Sequence, residues 1–396
     1  MRQDPLGYLA GELTALREKG LYRALRVLDG EQKAHASVDH RLVVNLSSNN
    51  YLGLTTHPRL RERAIDATRR FGVGSGSVRT IAGTMDIHLE LERKLAEFKK
   101  TEAAVVFQSG FAANAGTVSS ILGRDDVIVS DELNHASIID GARLSRATIK
   151  VFPHRDAAAA RAIVEALPRG QRTLIITDGV FSMDGDLGAL PALCDLADET
   201  GSIMMVDDAH ASGVFGKEGR GTVDHFGMHG RVDVQVGTLS KALGALGGYV
   251  AGSRALVEFL YHRARPFLFS TSHPPAVAAT CLAAIEVLES EPGLIDRLWD
   301  NTRFFKSGLK AMGFDTGSSE SPITPVFVGD GALAMKLSDR LFDEGVFAQG
   351  IAFPTVAAGK ARVRTIVTAT HTRDELQFAL DCFRKVGQQL GVLVQA

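Results

Sequence analysis

Along the middle of the chain, apolar and polar positions alternate between two rhythms. Short, nearly all-apolar runs recur: AAVVF (103–107), DVIVS (126–130), TIKVF (148–152), TLIIT (173–177), SIMMV (202–206), VDVQV (232–236) and GYVAG (248–252). Runs of this kind suit strands covered on both faces rather than strands with one wet side. Between them, apolar residues recur at three- and four-residue spacing. In MDIHLELERKLAEFKK (85–100), Ile87, Leu91, Leu95 and Phe98 share one helical face. Repetition of strand, helix and strand predicts an α/β fold, a mainly parallel central sheet with helices on both faces.

The two ends of the chain read differently. MRQDPLGYLAGELTALREKG sets Leu6, Leu9, Leu13 and Leu16 at helical spacing among charges. That predicts an amphipathic helix packed on the body or on a second subunit, not a secretory signal. Near residue 290 a long helical stretch, PPAVAATCLAAIEVLES, leads into RLWDNTRFFKSGLKAMG. ITPVFVGD, a helix through ALAMKLSDRLFDEG, then VFAQGIA, RVRTIV and a last helix from Arg373 follow. The expected organisation is an N-terminal helix and arm (1–50), a large domain (51–290) and a smaller C-terminal α/β domain (291–396).

Composition narrows this only slightly. The 396 residues are 45% hydrophobic and 23% charged, with a net charge of -2, as in an ordinary soluble globular protein. No basic block invites nucleic acid, and no run of about 18 apolar residues invites a membrane. Cys194, Cys281 and Cys382 are far apart and odd in number, so neither a disulfide framework nor a metal site is expected. A reducing cytoplasm fits, with each cysteine a small buried apolar residue.

In an open α/β sheet, ligands gather beyond the carboxyl ends of the strands. There the chain carries SGFAAN after AAVVFQ, DELNHAS after VIVS, DGVFSMDGD after TLIIT, DDAH after SIMMV and GTLSK after VDVQV. Small or ionisable residues at five strand ends predict a shared pocket. Lys241 lies just past one of these runs, with Gly244, Gly247 and Gly248 after it. A solvated turn is the ordinary reading of such a lysine, but its neighbours argue for covalent work on a carbonyl through a Schiff base. Pyridoxal phosphate needs such a lysine, an acid facing its ring nitrogen and a cradle for its phosphate. Asp207 after IMMV can be that acid, and Asp208 could trade places with it. His210 can reach the ring hydroxyl or hold the aspartate. SGF opens a predicted helix whose free N–H groups bind phosphate, and Thr238 and Ser240 add hydroxyls. His135 opens another helix and can lie flat on an aromatic ring.

Taken together, NLSSNNYLGL, SDELNHASIIDGARL, TDGVFSMDGD, VDDAHASGVFGKEGRG, TLSKALG and FLFSTSHPPA resemble the α-oxoamine synthases, fold-type I enzymes that use pyridoxal phosphate. The likeness runs from SSNNYLG to RVRTIVTATHT. SVRTIAGTMDIHLELE looks most like the glycine C-acetyltransferase branch. The resemblance implies condensation of glycine with acetyl-CoA to 2-amino-3-oxobutyrate and CoA. Its alternative is the 8-amino-7-oxononanoate synthase reaction, alanine plus a pimeloyl thioester with decarboxylation, or acceptance of both substrate pairs. It further implies Lys241 as the Schiff-base lysine, Asp207 at the ring nitrogen, His210 at the ring hydroxyl and His135 stacked on the ring. Gly110 and Phe111 would give phosphate-binding amides, with Ser182 and Thr238 nearby. Thr271 and Ser272 would reach the phosphate of the neighbouring subunit, which implies a homodimer with shared active sites. Arg364 would grip the amino-acid carboxylate, assisted by Asn49, with Arg362 on the same strand face as the other candidate.

Other patterns carry less. GVGSGS (72–77) has neither a preceding strand nor GxGxxG spacing. His225 and His229 are four apart without a third ligand, so no metal is expected. DGVFSMDGD lacks EF-hand spacing. His88, in a helical pattern among charges, is expected to be exposed. Trp299 is expected to pack between domains.

Overall fold

The computed structural model describes residues 4–20, 22 and 24–393. A hairpin of β1 (His35–Val38) and β2 (Arg41–Asn45) comes first. The apolar runs then all form strands, some displaced by one or two residues: β3 (Ala103–Phe107), β4 (Val127–Asp131), β5 (Thr148–Phe152), β6 (Thr173–Asp178), β7 (Ile203–Asp207), β8 (Val234–Thr238) and β9 (Gly248–Gly252). They make one seven-stranded sheet in the order β3-β9-β8-β7-β6-β4-β5. All run parallel except β9, which is antiparallel to both β3 and β8.

Successive side chains leave a strand on opposite faces, so apolar runs feed two cores. Ile128, Leu174, Ile176, Met205 and Val236 meet Ala113, Val118, Ile138 and Leu260 from the helices Gly110–Ile121, Ala136–Ser145 and Arg254–Arg263. On the other face Val129, Ile175, Met204 and Val206 meet Val164, Leu193 and Ala197 from the helices Ala157–Glu165 and Leu190–Thr200. β5 departs from the two-sided burial expected of its composition. It has β4 as its one neighbour, and of its residues only Phe152 is buried.

In the last third, β10 (Ile323–Gly329), β12 (Gln349–Ile351) and β13 (Ala361–Ile366) form an antiparallel sheet in the order β10-β13-β12. The helices Gly293–Ala311, Gly331–Asp343 and Arg373–Gln389 accompany it. Between β10 and β12, β11 (Val346–Phe347) pairs in parallel with β2, so the arm near the start of the chain is stitched to the last third. A two-residue strand has no periodicity from which to foresee that pairing. Trp299 donates Nε1–H to Val214 O at 3.0 Å and meets Phe215 edge-on, joining the helix Gly293–Ala311 to the loop after β7.

The helix Tyr8–Glu18 forms with Leu6, Leu9, Leu13 and Leu16 exposed, so of the two surfaces expected for it the chain's own body is not the one it covers. One expectation needs correction. His88 is buried rather than exposed. Its Nδ1 accepts from Met85 N–H at 3.1 Å, so Nε2 carries the proton and donates to His273 O at 2.8 Å. Burial, the largest influence, holds its pKa below the usual histidine range. The three cysteines are free and buried. Among the described residues no helix is long and apolar enough to cross a membrane, and no group of three or more His, Cys, Asp or Glu could hold a metal.

Candidate active site

The strand ends do converge. Asp178 closes β6 and Asp207 closes β7, and the two are direct neighbours in register. Both are buried. Burial, then the Asp207 carboxylate, pushes Asp178 well above the usual carboxylate range. His135 N–H donates to Asp178 Oδ2 at 2.8 Å.

Asp207 is tied into a short chain of hydrogen bonds. Oδ1 accepts from Ala209 N–H at 2.8 Å, and Oδ2 accepts from Asn114 Nδ2 at 2.6 Å. Asn114 Nδ2 also donates to Ser137 Oγ at 2.9 Å, and Ser137 Oγ lies 2.7 Å from His135 Nδ1. That fixes the orientation of the His135 ring at the head of its helix. Asp208 belongs elsewhere: it pairs with Lys99 at 2.9 Å and accepts from the Thr222 hydroxyl, so it does not exchange roles with Asp207. Neither Asn114 nor Ser137 was singled out from sequence, although both lie inside the quoted motifs SGFAAN and DELNHAS.

Lys241 sits in the connection between antiparallel β8 and β9. Burial lowers its pKa to about 8, partly opposed by Asp207 and Asp178. No hydrogen bond to its amine is formed by the described residues. Two of the glycines after it have distinct reasons. Gly244 has φ +70, in the left-handed region, and a Cβ there would meet Thr55 N at 2.7 Å. A Cβ on Gly248 would strike Ser109 O, because β9 passes directly beneath the start of the helix Gly110–Ile121.

That helix start has the makings of an anion cradle. Ser109 caps it through Ala112 N–H, leaving other first-turn N–H groups free, and Gly110 lies against Thr238. Phe111 is half exposed beside it. Thr238 donates its proton to Gly247 O at 2.9 Å. Ser272 spends both its backbone N–H (on Ser77 O) and its hydroxyl (on Gly83 O, 2.6 Å) within its own chain. Of the two expected cross-subunit groups, the hydroxyl of exposed Thr271 remains.

The arginines separate cleanly. Arg362 is buried and committed, to Asp184 at 2.6 Å and to Met183 O at 3.0 Å. Arg364 uses only Nη1, on Ser182 O at 3.1 Å. Burial lowers its pKa, and no carboxylate answers it. Ser182 therefore stands at Arg364 through its carbonyl. Arg364 is felt at Lys241, at His210 and at Tyr51, so it faces the same pocket. His210 is buried, with Nδ1 2.8 Å from Tyr51 Oη rather than on the aspartate. Burial, then Lys241 and Arg364, holds it well below the usual histidine range. Asn49 Oδ1 is buried without a partner. An unpartnered amine, an arginine with spare donors, an orphaned amide oxygen and an open helix start together fit a phosphorylated aldehyde coenzyme and a carboxylate.

The chain is similar to known proteins over nearly its whole length. Residues 41–383 match the family Aminotransferase class I and II. The 8-amino-7-oxononanoate synthase of Symbiobacterium thermophilum is 62% identical over 387 residues, 98% of this chain and 99% of that protein. The 8-amino-7-oxononanoate synthase 1 of Bacillus subtilis is 54% identical over 98% of each chain. Among solved structures, a Lys→Ala variant of serine palmitoyltransferase from S. paucimobilis, with bound PLP, superposes with a TM-score of 0.94. Its identity is 32%, covering 99% of this chain and 100% of that one.

Proposed function

The chain belongs to the aminotransferase class I and II family, in its α-oxoamine synthase-like, PLP-dependent part, and from that premise we propose that it joins alanine to a pimeloyl thioester, releasing 8-amino-7-oxononanoate, carbon dioxide and the free thiol. One observation carries the reading: relatives 52–62% identical over nearly the whole chain bear the name 8-amino-7-oxononanoate synthase. Glycine with acetyl-CoA rested on the single stretch SVRTIAGTMDIHLELE, and full-length likeness outweighs it.

In this reading PLP supplies an electron sink for charge developing at the substrate α-carbon. Lys241 would hold the coenzyme covalently, and its free amine would take the α-proton. An amine with a pKa of about 8 has a useful free-base fraction near neutrality. Asp207, aimed by Asn114 and Ala209, faces the ring nitrogen and keeps its proton on by charge. His135 covers one face of the ring. His210, backed by Tyr51, serves the ring hydroxyl. The helix start at Gly110 and Phe111, with Thr238 beside it, receives the phosphate. Arg364 offers a planar fork to the alanine carboxylate, with Asn49 assisting. Two copies assemble so that Thr271 of each reaches the other's phosphate.

The test is a thiol-release assay crossing alanine, glycine and serine with pimeloyl-CoA and acetyl-CoA, with carbon dioxide and product mass recorded. Alanine with pimeloyl-CoA should be fastest and should evolve carbon dioxide. Preference for glycine with acetyl-CoA, and no carbon dioxide, would sink the reading. Light scattering checks the dimer.

A further inference from the structure

His154 lies outside the pocket and takes no part in the chemistry above, yet its surroundings are unusual. It follows β5, and its ring is clasped between two buried carboxylates. Nδ1 is 3.1 Å from Asp131 Oδ1, and Nε2 is 3.0 Å from Asp186 Oδ2. A neutral imidazole has one N–H and one lone pair, and the lone pair would face a carboxylate. Only the doubly protonated ring satisfies both sides. Burial pulls the other way, but the two carboxylates win and raise its pKa to about 9. The other charged groups around it are Glu132, which accepts from His154 N–H at 3.0 Å, and Arg155, 3.5 Å from Asp186 and 3.2 Å from Glu320.

The two carboxylates belong to different structures. Asp131 ends β4, part of the rigid sheet. Asp186 lies in the loop 181–187 after β6. His154 also packs edge-on against Phe181 at the start of that loop, 4.4 Å between centroids. From the opposite side the same loop receives both C-terminal arginines: Arg364 on Ser182 O, and Arg362 on Met183 O and Asp184. Glu320 closes it further, its N–H on Gly185 O at 3.0 Å and its carboxylate accepting from Leu187 N–H at 3.1 Å. The loop is thus tied to the end of β4 through the His154 ring, with Arg155 also near Asp186, and its Ser182 carbonyl accepts from Arg364.

We propose that His154, bridging Asp131 and Asp186, is a positioning residue that fixes the loop 181–187 so that Ser182 O holds Arg364 toward the amino-acid carboxylate. This rests on Arg364 being the carboxylate binder, and the experiment separates the two ideas. Alanine affinity is read on the holoenzyme from the absorbance change of the bound coenzyme, without turnover. Compared are wild type, His154→Gln, Arg364→Ala and the double variant. His154→Gln should weaken alanine about tenfold while leaving coenzyme content and the KM for the acyl thioester unchanged. In the Arg364→Ala background the same substitution should do almost nothing, since no fork is left to aim. Unchanged alanine affinity in His154→Gln overturns the proposal. So does an equal loss in both backgrounds, which would mean the histidine acts only on general stability. Unchanged alanine affinity in Arg364→Ala overturns the carboxylate reading itself, and the proposal with it. If His154→Gln does not fold, Asp186→Asn replaces it. That change keeps the shape but removes one of the two charges, and the same pattern at about threefold is expected.

Discussion

Two lysines, one buried and one half-buried, and two adjacent aspartates make a natural comparison. Lys99 and Asp208 are fully buried and fully used. The amine meets Asp208 and Arg220 O, and the carboxylate also accepts the N–H and hydroxyl of Thr222. Burial works against the charged Lys99, but Asp208 outweighs it and its pKa rises. Lys241, in the connection after β8, behaves oppositely, although Asp207 keeps hydrogen bonds of its own from Ala209 and Asn114. Burial wins at Lys241 and its pKa falls to about 8. The same contrast separates Arg362, saturated by Asp184, from Arg364, which keeps donors in reserve. Charge buried with its partners holds a fold together. Charge buried short of partners is held ready for something the chain does not contain.

The comparison breaks most sharply at the two lysines. Lys241→Ala should cut turnover by more than about 10³-fold and abolish the coenzyme's imine absorbance band, while the fold survives. Lys99→Met should do the reverse. It strands the Asp208 carboxylate and should cost about 3–5 kcal/mol in urea unfolding, with turnover per folded molecule nearly intact. A Lys99→Met protein that kept its stability but lost activity would erase the distinction. The smallest effect sharpens it. Because Lys241 titrates near pH 8 when folded and near 10.5 when unfolded, the unfolded chain holds more protons across that window. Stability of the coenzyme-free protein should therefore rise with pH from about 8 to 10.5 through this group. Lys241→Met removes that slope. It should melt above wild type at pH 7, the gap closing by pH 10.5, as read from unfolding midpoints across pH.

Much of this could be read from the chain because it is local. A both-faces-buried strand announces itself by composition, and the end of such a strand announces a pocket. Lys241, Asp207, His135 and His210 stand out as candidates in that way. What stayed hidden depends on distant partners. His88 looks wet among charges until His273 O arrives from 185 residues away. Arg362 and Arg364 look alike until Asp184 claims one of them. TIKVF looks like an inner strand, but rank within a sheet is a property of topology and not of composition. Asn114 and His154 carry no periodic signal at all. Each matters only through what it touches.

The single antiparallel strand, β9, has a consequence for how this protein can change over time. The consecutive parallel pairs β4–β5, β6–β7 and β7–β8 are each linked through a long crossover, where extra length is more easily absorbed. Lys241 instead lies in a short return, pinned by β8 on one side and β9 on the other. One extra residue there would displace the amine, so length variation among descendants of this chain should be confined to its other connections.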